Sequence, residues 1–94
     1  MIRNFADRET EKIYHQVFSG KLPQAIQKIA LRKLIMMDHS EDLNDLRIPP
    51  ANHLEALKDD RKGQYSFRIN DQYRICFTPT EFGFEQVEIV DYHS

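Results

Sequence analysis

Tyr65-Ser66-Phe67-Arg68-Ile69-Asn70-Asp71-Gln72-Tyr73-Arg74-Ile75-Cys76-Phe77 is the stretch that decides the fold. Tyr65, Phe67 and Ile69 alternate with Ser66 and Arg68, while Tyr73, Ile75 and Phe77 alternate with Arg74 and Cys76. A period of two is that of half-buried strands. The polar Asn70-Asp71-Gln72 between them reads as a hairpin turn. Both apolar sets reach one core only if opposed residues share parity. A three-residue loop meets this condition by pairing Ile69 with Tyr73 and Arg68 with Arg74. A two-residue loop would set Arg74 opposite Phe67 and leave one of them on the wrong face. Two arginines therefore stand side by side on the sheet face away from the core. Like charges directly opposite are unfavourable, so either they splay into solvent or an anion lies between them.

On the N-terminal side the period changes. Ile2-Arg3-Asn4-Phe5 alternates as a short strand, and Asp7 offers a helix cap to the segment carrying Ile13, Tyr14, Val17 and Phe18, with Gly20 as its stop. Pro23 suits the first turn of a second helix with Ile26, Ile29, Ala30, Leu34 and Met37 on one face. Leu31 and Ile35 widen that stripe, as in a helix packed on two neighbours. Ser40 to Leu46 adds a short helical turn, and Pro49-Pro50 starts a loop. Leu54 to Lys58 reads as a strand, residues 59–63 as a polar loop, and Phe84 to Val90 as the last strand. The order β-α-α-β-β-β-β specifies an α+β fold with two helices on one face of a small, mainly antiparallel sheet, formed by one domain over residues 1–94.

Composition bounds the function. Ninety-four residues, 40% hydrophobic and 11% aromatic, exclude disorder and low complexity. No apolar run approaches a membrane span, and the N-terminus does not read as a secretion signal. The lone cysteine, Cys76, forms no internal bridge, which points to a cytoplasmic protein. A net charge of −2 argues against a nucleic-acid binder taken globally. The charge is segregated, however: Lys21, Lys28, Arg32 and Lys33 lie in a stretch from 21 to 37 without an acid, and Lys58, Arg61, Lys62, Arg68 and Arg74 cluster downstream. Opposite signs held apart favour electrostatic steering.

Few groups suit chemistry. Asp91-Tyr92-His93 places an acceptor, a phenol and a group titrating near neutrality at the end of a strand. His15, His39, His53 and His93 are scattered, without metal-ligand spacing. No phosphate loop or nucleophile elbow occurs, and Cys76 reads as a packed residue. No metal or other cofactor is expected.

Three motifs carry a family resemblance. Asp42-Leu43-Asn44-Asp45-Leu46-Arg47-Ile48-Pro49-Pro50 followed by Leu54-Glu55-Ala56-Leu57-Lys58, the hairpin from Gln64 to Phe77, and Val87-Glu88-Ile89-Val90-Asp91-Tyr92-His93 resemble, in this order, the HigB toxins, or plasmid-maintenance killer proteins, of the RelE/ParE superfamily. The resemblance implies a RelE-like microbial-RNase fold and the toxin of a type II toxin–antitoxin system. It implies ribosome-dependent, metal-independent cleavage of mRNA in the decoding site, and partnership with a HigA-type helix-turn-helix antitoxin, the 70S ribosome and mRNA. Transferred by position, the catalytic residues are Arg74, Asp91, Tyr92 and His93, with Lys58 on the neighbouring strand and Arg68, at a more variable position, on substrate. Where some members carry a histidine this chain has Glu55, which can serve as base but not as a cation toward phosphate. His53 shares the strand parity of Glu55 or is simply a loop residue.

These residue types suit RNA cleavage by the 2′-OH. His93 is the natural base or acid, Asp91 orients it, Arg74 grips phosphate bidentately, Lys58 adds a point charge and Tyr92 stacks on a base. Two other readings compete: a non-enzymatic toxin like the gyrase-inhibiting ParE branch, and a degenerate member that only binds antitoxin and regulates its operon. The antitoxin docks on either the basic 21–33 helix or the acidic N-terminal helix. Low net charge predicts weak, salt-sensitive binding to free RNA.

Overall fold

The computed structural model describes residues 1–92. Four strands, β1 (Glu55–Ala56), β2 (Tyr65–Arg68), β3 (Tyr73–Thr80) and β4 (Gly83–Asp91), form an antiparallel sheet in the order β1-β2-β3-β4. Three helices, α1 (Arg8–Tyr14), α2 (Gln24–His39) and α3 (Leu43–Arg47), precede it in the chain. This is the α+β, RelE-like architecture expected from the sequence. The hairpin register is the predicted one, with Phe67 opposite Ile75 and Arg68 opposite Arg74. Ile69 N–H donates to the Tyr73 carbonyl at 2.9 Å, and the Asn70 side chain accepts from the N–H groups of Gln72 and Tyr73 to close the turn.

One core fills the space between the sheet and the helices. Ala30, Leu34 and Met37 of α2 are fully buried with Phe67, Ile75, Phe77 and Val87 of the sheet and Leu46 of α3. Phe77 lies at the centre of an aromatic row, its ring centroid 6.0 Å from that of Phe67, 5.2 Å from Phe84 and 6.4 Å from Tyr65. Buried Thr10 of α1 accepts the Ile89 N–H at 2.9 Å, so a hydroxyl satisfies an amide of the outer strand β4.

The N-terminal segment runs parallel to β4 through isolated bridges, Ile2 to Phe84 and Phe5 to Val87, rather than as a continuous strand. The Phe84 N–H donates to the Met1 carbonyl at 2.8 Å, and a Cβ added at Gly83 would lie 2.4 Å from that same oxygen. Gly83 also has φ +138°, a conformation that residues with an L side chain rarely adopt. Gly83→Ala is therefore expected to destabilise the fold by about 1–3 kcal/mol, read as a lower midpoint in urea unfolding; an unchanged midpoint overturns the close approach.

Three expectations about element ends are corrected. α1 stops at Tyr14, not near Gly20, because Gln16 takes a left-handed φ of 63° and the chain is then held elsewhere. Buried Ser19 donates to Glu9 Oε1 at 2.6 Å and exchanges bonds with the Gln27 amide through its backbone, fixing the reversal before α2. Pro23 is the residue before α2 rather than in its first turn, and Ile35 is exposed rather than packed on a second neighbour. The strand expected over 54–58 shrinks to Glu55–Ala56, since His53 is left-handed at one end and Lys58 leads into a 3₁₀ turn (Asp59–Arg61) at the other.

Asp38 joins three elements. Its carboxylate accepts from Tyr14 Oη at 2.7 Å and from the Ile2 N–H at 2.8 Å. Burial pushes its pKa up, but these hydrogen bonds together with the nearby N-terminal and His39 charges hold it below the ordinary carboxyl value. A depressed folded pKa contributes stability above the unfolded pKa, and that contribution is lost as pH falls through the folded value. The acid limb of stability, below about pH 4, is expected to be shallower in Asp38→Asn. Thermal melts from neutral to acid pH measure this, and parallel acid limbs overturn it.

Candidate active site

The face of the sheet turned from the helices is built by the other parity of each strand: Ser66 and Arg68 on β2, Arg74 and Cys76 on β3, Glu88 and Val90 on β4. A bulge determines what joins them. Cys76 pairs with Glu88 but Thr78 with Glu85, so β4 carries one extra residue there, and Gln86 within it is left-handed at φ 55°. Phe84 and Tyr92 are eight residues apart and would share a face in an unbroken strand. The bulge sends Phe84 into the core and leaves Tyr92 39% exposed, within reach of the Arg74 face.

Arg74 is the centre of this face. Its Nε donates to Ser66 Oγ at 2.7 Å and stands 3.6 Å from Glu55 Oε1. Its Nη2 donates to the carbonyls of Ser66 and His53. The guanidinium carbon is 6.0 Å from the Tyr92 ring centroid, at the outer range of a cation–π contact. Side-chain exposure is 13% for Arg74 and 55% for Glu55, so the arginine is anchored and its counter-ion is at the rim. The predicted like-charge conflict is resolved by divergence: Arg74 turns to this cluster while Arg68 pairs with Asp71 within its own turn.

The His53 carbonyl that receives Arg74 is positioned by the helical layer. Lys33 Nζ of α2 donates to Asn52 Oδ1 at 2.8 Å, and buried Asn52 donates to the Leu46 carbonyl at 3.0 Å. Burial, followed by the neighbouring charges of Arg32 and Arg68, pulls the Lys33 pKa down. His53 is thus a loop residue whose backbone carbonyl receives Arg74.

A second arginine completes the floor. Arg61 donates to Glu88 Oε1 and Gln64 Oε1 at 2.8 and 2.9 Å, and the Glu88 bond holds its pKa above the usual value. Buried Cys76 and the Tyr92 hydroxyl, 3.8 Å apart, both feel the charges of the two arginines. Burial raises both pKa values, so at neutral pH Tyr92 keeps a proton to donate and Cys76 remains a thiol rather than a nucleophile.

Asp91 and Tyr92 are held by the hairpin turn. Gln72 accepts the Tyr92 N–H through its carbonyl at 2.6 Å and donates its side-chain amide to Asp91 Oδ2 at 3.1 Å. The structure thus gathers Arg74, Glu55 and Tyr92 and places Asp91 beside Tyr92 on β4. It sets Lys58 beyond the end of β1, exposed, rather than on a strand. His93 lies outside the described residues. Sequence reasoning missed Ser66, Gln72 and Arg61 as supports. Ser66 shares the outward parity of Arg68, which was legible; the Arg61–Glu88 and Gln72–Asp91 bonds join residues distant in sequence and leave no local signal.

Helices on one face of a small antiparallel sheet, with an arginine-centred cluster on the other, place the protein in the RelE-like class of folds. The family model described as RelE-like toxin of type II toxin-antitoxin system HigB matches residues 3–93. Toxin HigB-1 of Vibrio cholerae is 38% identical over 78 residues, 82% of each chain. An uncharacterized protein of Haemophilus influenzae is 49% identical over 58 residues, which span 62% of this chain and 57% of that protein. The chain belongs to the HigB-like toxins of type II toxin–antitoxin systems, and an antitoxin is its partner in such a system.

Proposed function

We propose that this toxin is a metal-independent endoribonuclease that acts in the cytoplasm on mRNA held in the decoding site of the 70S ribosome, and that a HigA-type helix-turn-helix antitoxin neutralises it. The observation that carries the reading is Arg74, anchored by Ser66 and the His53 carbonyl beside Tyr92. Among the described residues no acceptor sits on Nη1. That nitrogen is therefore available to a phosphoryl oxygen, and an arginine locked at Nε and Nη2 reorganises little when charge develops there.

In the proposed reaction the 2′-OH loses its proton to a base and its oxygen bonds to the adjacent phosphorus. The bond from phosphorus to the 5′ oxygen breaks, and an acid protonates that oxygen. The products are a 2′,3′-cyclic phosphate and a 5′-OH end. Arg74 stabilises the phosphoryl oxygens, Tyr92 stacks on a base or donates to the ribose, and His93 transfers the proton with Asp91 orienting it. Lys58 and Arg68 attract the backbone. Glu55, set against Arg74, is a rim carboxylate that arriving phosphate must displace; its alternative role is that of the base.

Brief expression followed by mapping of mRNA 5′ ends tests the proposal. New ends within translated codons are expected from the wild type and not from His93→Ala. Blocked DNA supercoiling with intact mRNA would instead establish a non-enzymatic toxin, and intact mRNA with normal growth a degenerate one.

A further inference from the structure

The early end of α1 leaves two apolar residues without a place in the core. Val17 and Phe18 are 52% and 62% exposed, although helical spacing had aligned them with Ile13. They border a cavity of about 270 Å³ in the helical layer, with Ile13 and Leu31 as further apolar walls and Lys28 on α2 as its charged lining residue. Its lining includes no carboxylate. Lys21 and Arg32, both exposed, flank Lys28 in the acid-free stretch from 21 to 37. An exposed apolar groove lined by a cation and no carboxylate is a feature of recognition surfaces. Glu9, which the Lys21 charge reaches, is already bonded to Ser19 and Lys12.

We propose that this groove docks the antitoxin, through an amphipathic segment whose apolar side chains cover Val17, Phe18 and Leu31 and whose carboxylates meet Lys21, Lys28 and Arg32. The assignment rests on the chain being the toxin of a toxin–antitoxin pair, and it is independent of the reaction that the toxin performs. Charge complementarity selects the occupant. A second copy of this chain offers the exposed Phe82 between Glu81 and Glu85, so self-association is the rival outcome that the test distinguishes. Among the two surfaces left open by the sequence, this places docking on the basic side of the helical pair. The groove lies in the layer on the core face of the sheet, whereas the Arg74 cluster lies on the opposite face, so docking and the site use separate surfaces.

The test uses the full chain and the antitoxin of its toxin–antitoxin system, with affinity measured by calorimetry at low and moderate salt. Phe18→Asp is expected to weaken binding at least tenfold. Lys28→Glu should weaken it severalfold and reduce its salt dependence, while a control, Lys62→Glu, should leave it unchanged. Both groove variants should melt like the wild type, because the replaced side chains are exposed, and should stay toxic while resisting rescue by the antitoxin. Wild-type affinity in both groove variants overturns the docking site, as does concentration-dependent dimerisation through Phe18. An antitoxin that fails to bind wild-type toxin overturns the pairing itself.

Discussion

Arg74→Ala is expected to reduce the proposed ribosome-dependent mRNA cleavage by about two to three orders of magnitude, the range lost when one preorganised donor to a developing oxyanion is removed. The same substitution should relieve growth arrest. The side chain is 13% exposed and holds Ser66 and His53 together, so some stability goes with it. Arg74→Lys separates the two effects. A lysine retains the charge but not the fork that bonds the Ser66 hydroxyl, the His53 carbonyl and a phosphate at once. Cleavage is therefore expected to stay near the alanine level while melting returns toward wild type. Full cleavage by a folded alanine variant would remove Arg74 from the mechanism.

The largest stability effect is expected at Phe77→Ala. Phe77 is fully buried and its ring meets those of Tyr65, Phe67 and Phe84. Deleting a large buried aromatic costs about 3–5 kcal/mol through lost transfer energy and the cavity left behind, much of the ~5–15 kcal/mol that holds a typical domain together. At roughly 4–8 °C per kcal/mol for a domain of this size, melting should fall by on the order of 12–40 °C, as calorimetry would show. A fall of only a few degrees would mean that the aromatic row collapses to fill the space.

Much of the hairpin was legible in the chain because its information is local. The parity of Phe67, Ile69, Tyr73 and Ile75 admits only one of the short turns, and the predicted pairing of Arg68 with Arg74 is the observed one. The α2 face was legible for the same reason: Ile26, Ala30, Leu34 and Met37 recur at helical spacing and are all buried. α1 was not. The pattern through Val17 and Phe18 continues the helix, yet hydrogen bonds from Ser19 to Glu9 and Gln27 turn the chain away. The strand at 54–58 failed similarly, because left-handed His53 before it accepts Arg74 of β3 and its neighbour Asn52 accepts Lys33 of α2.

The candidate site divides along the same line. Arg74 and Tyr92 were identifiable by residue type and by resemblance. Their proximity depends on the Gln86 bulge, which moves Phe84 and Tyr92 to opposite faces, and on Gln72, which fixes the end of β4.

By itself the sequence determined the α+β class, the hairpin register and the family, since periodicity, turn length and motif order are written within short windows of chain. Only the tertiary structure decided which cation is anchored and which is splayed. It decided too that His53 lends a carbonyl, that Arg61 backs the cluster, and that Val17 and Phe18 stay outside the core. Those outcomes depend on hydrogen bonds between elements far apart in the chain, whose geometry no local pattern encodes.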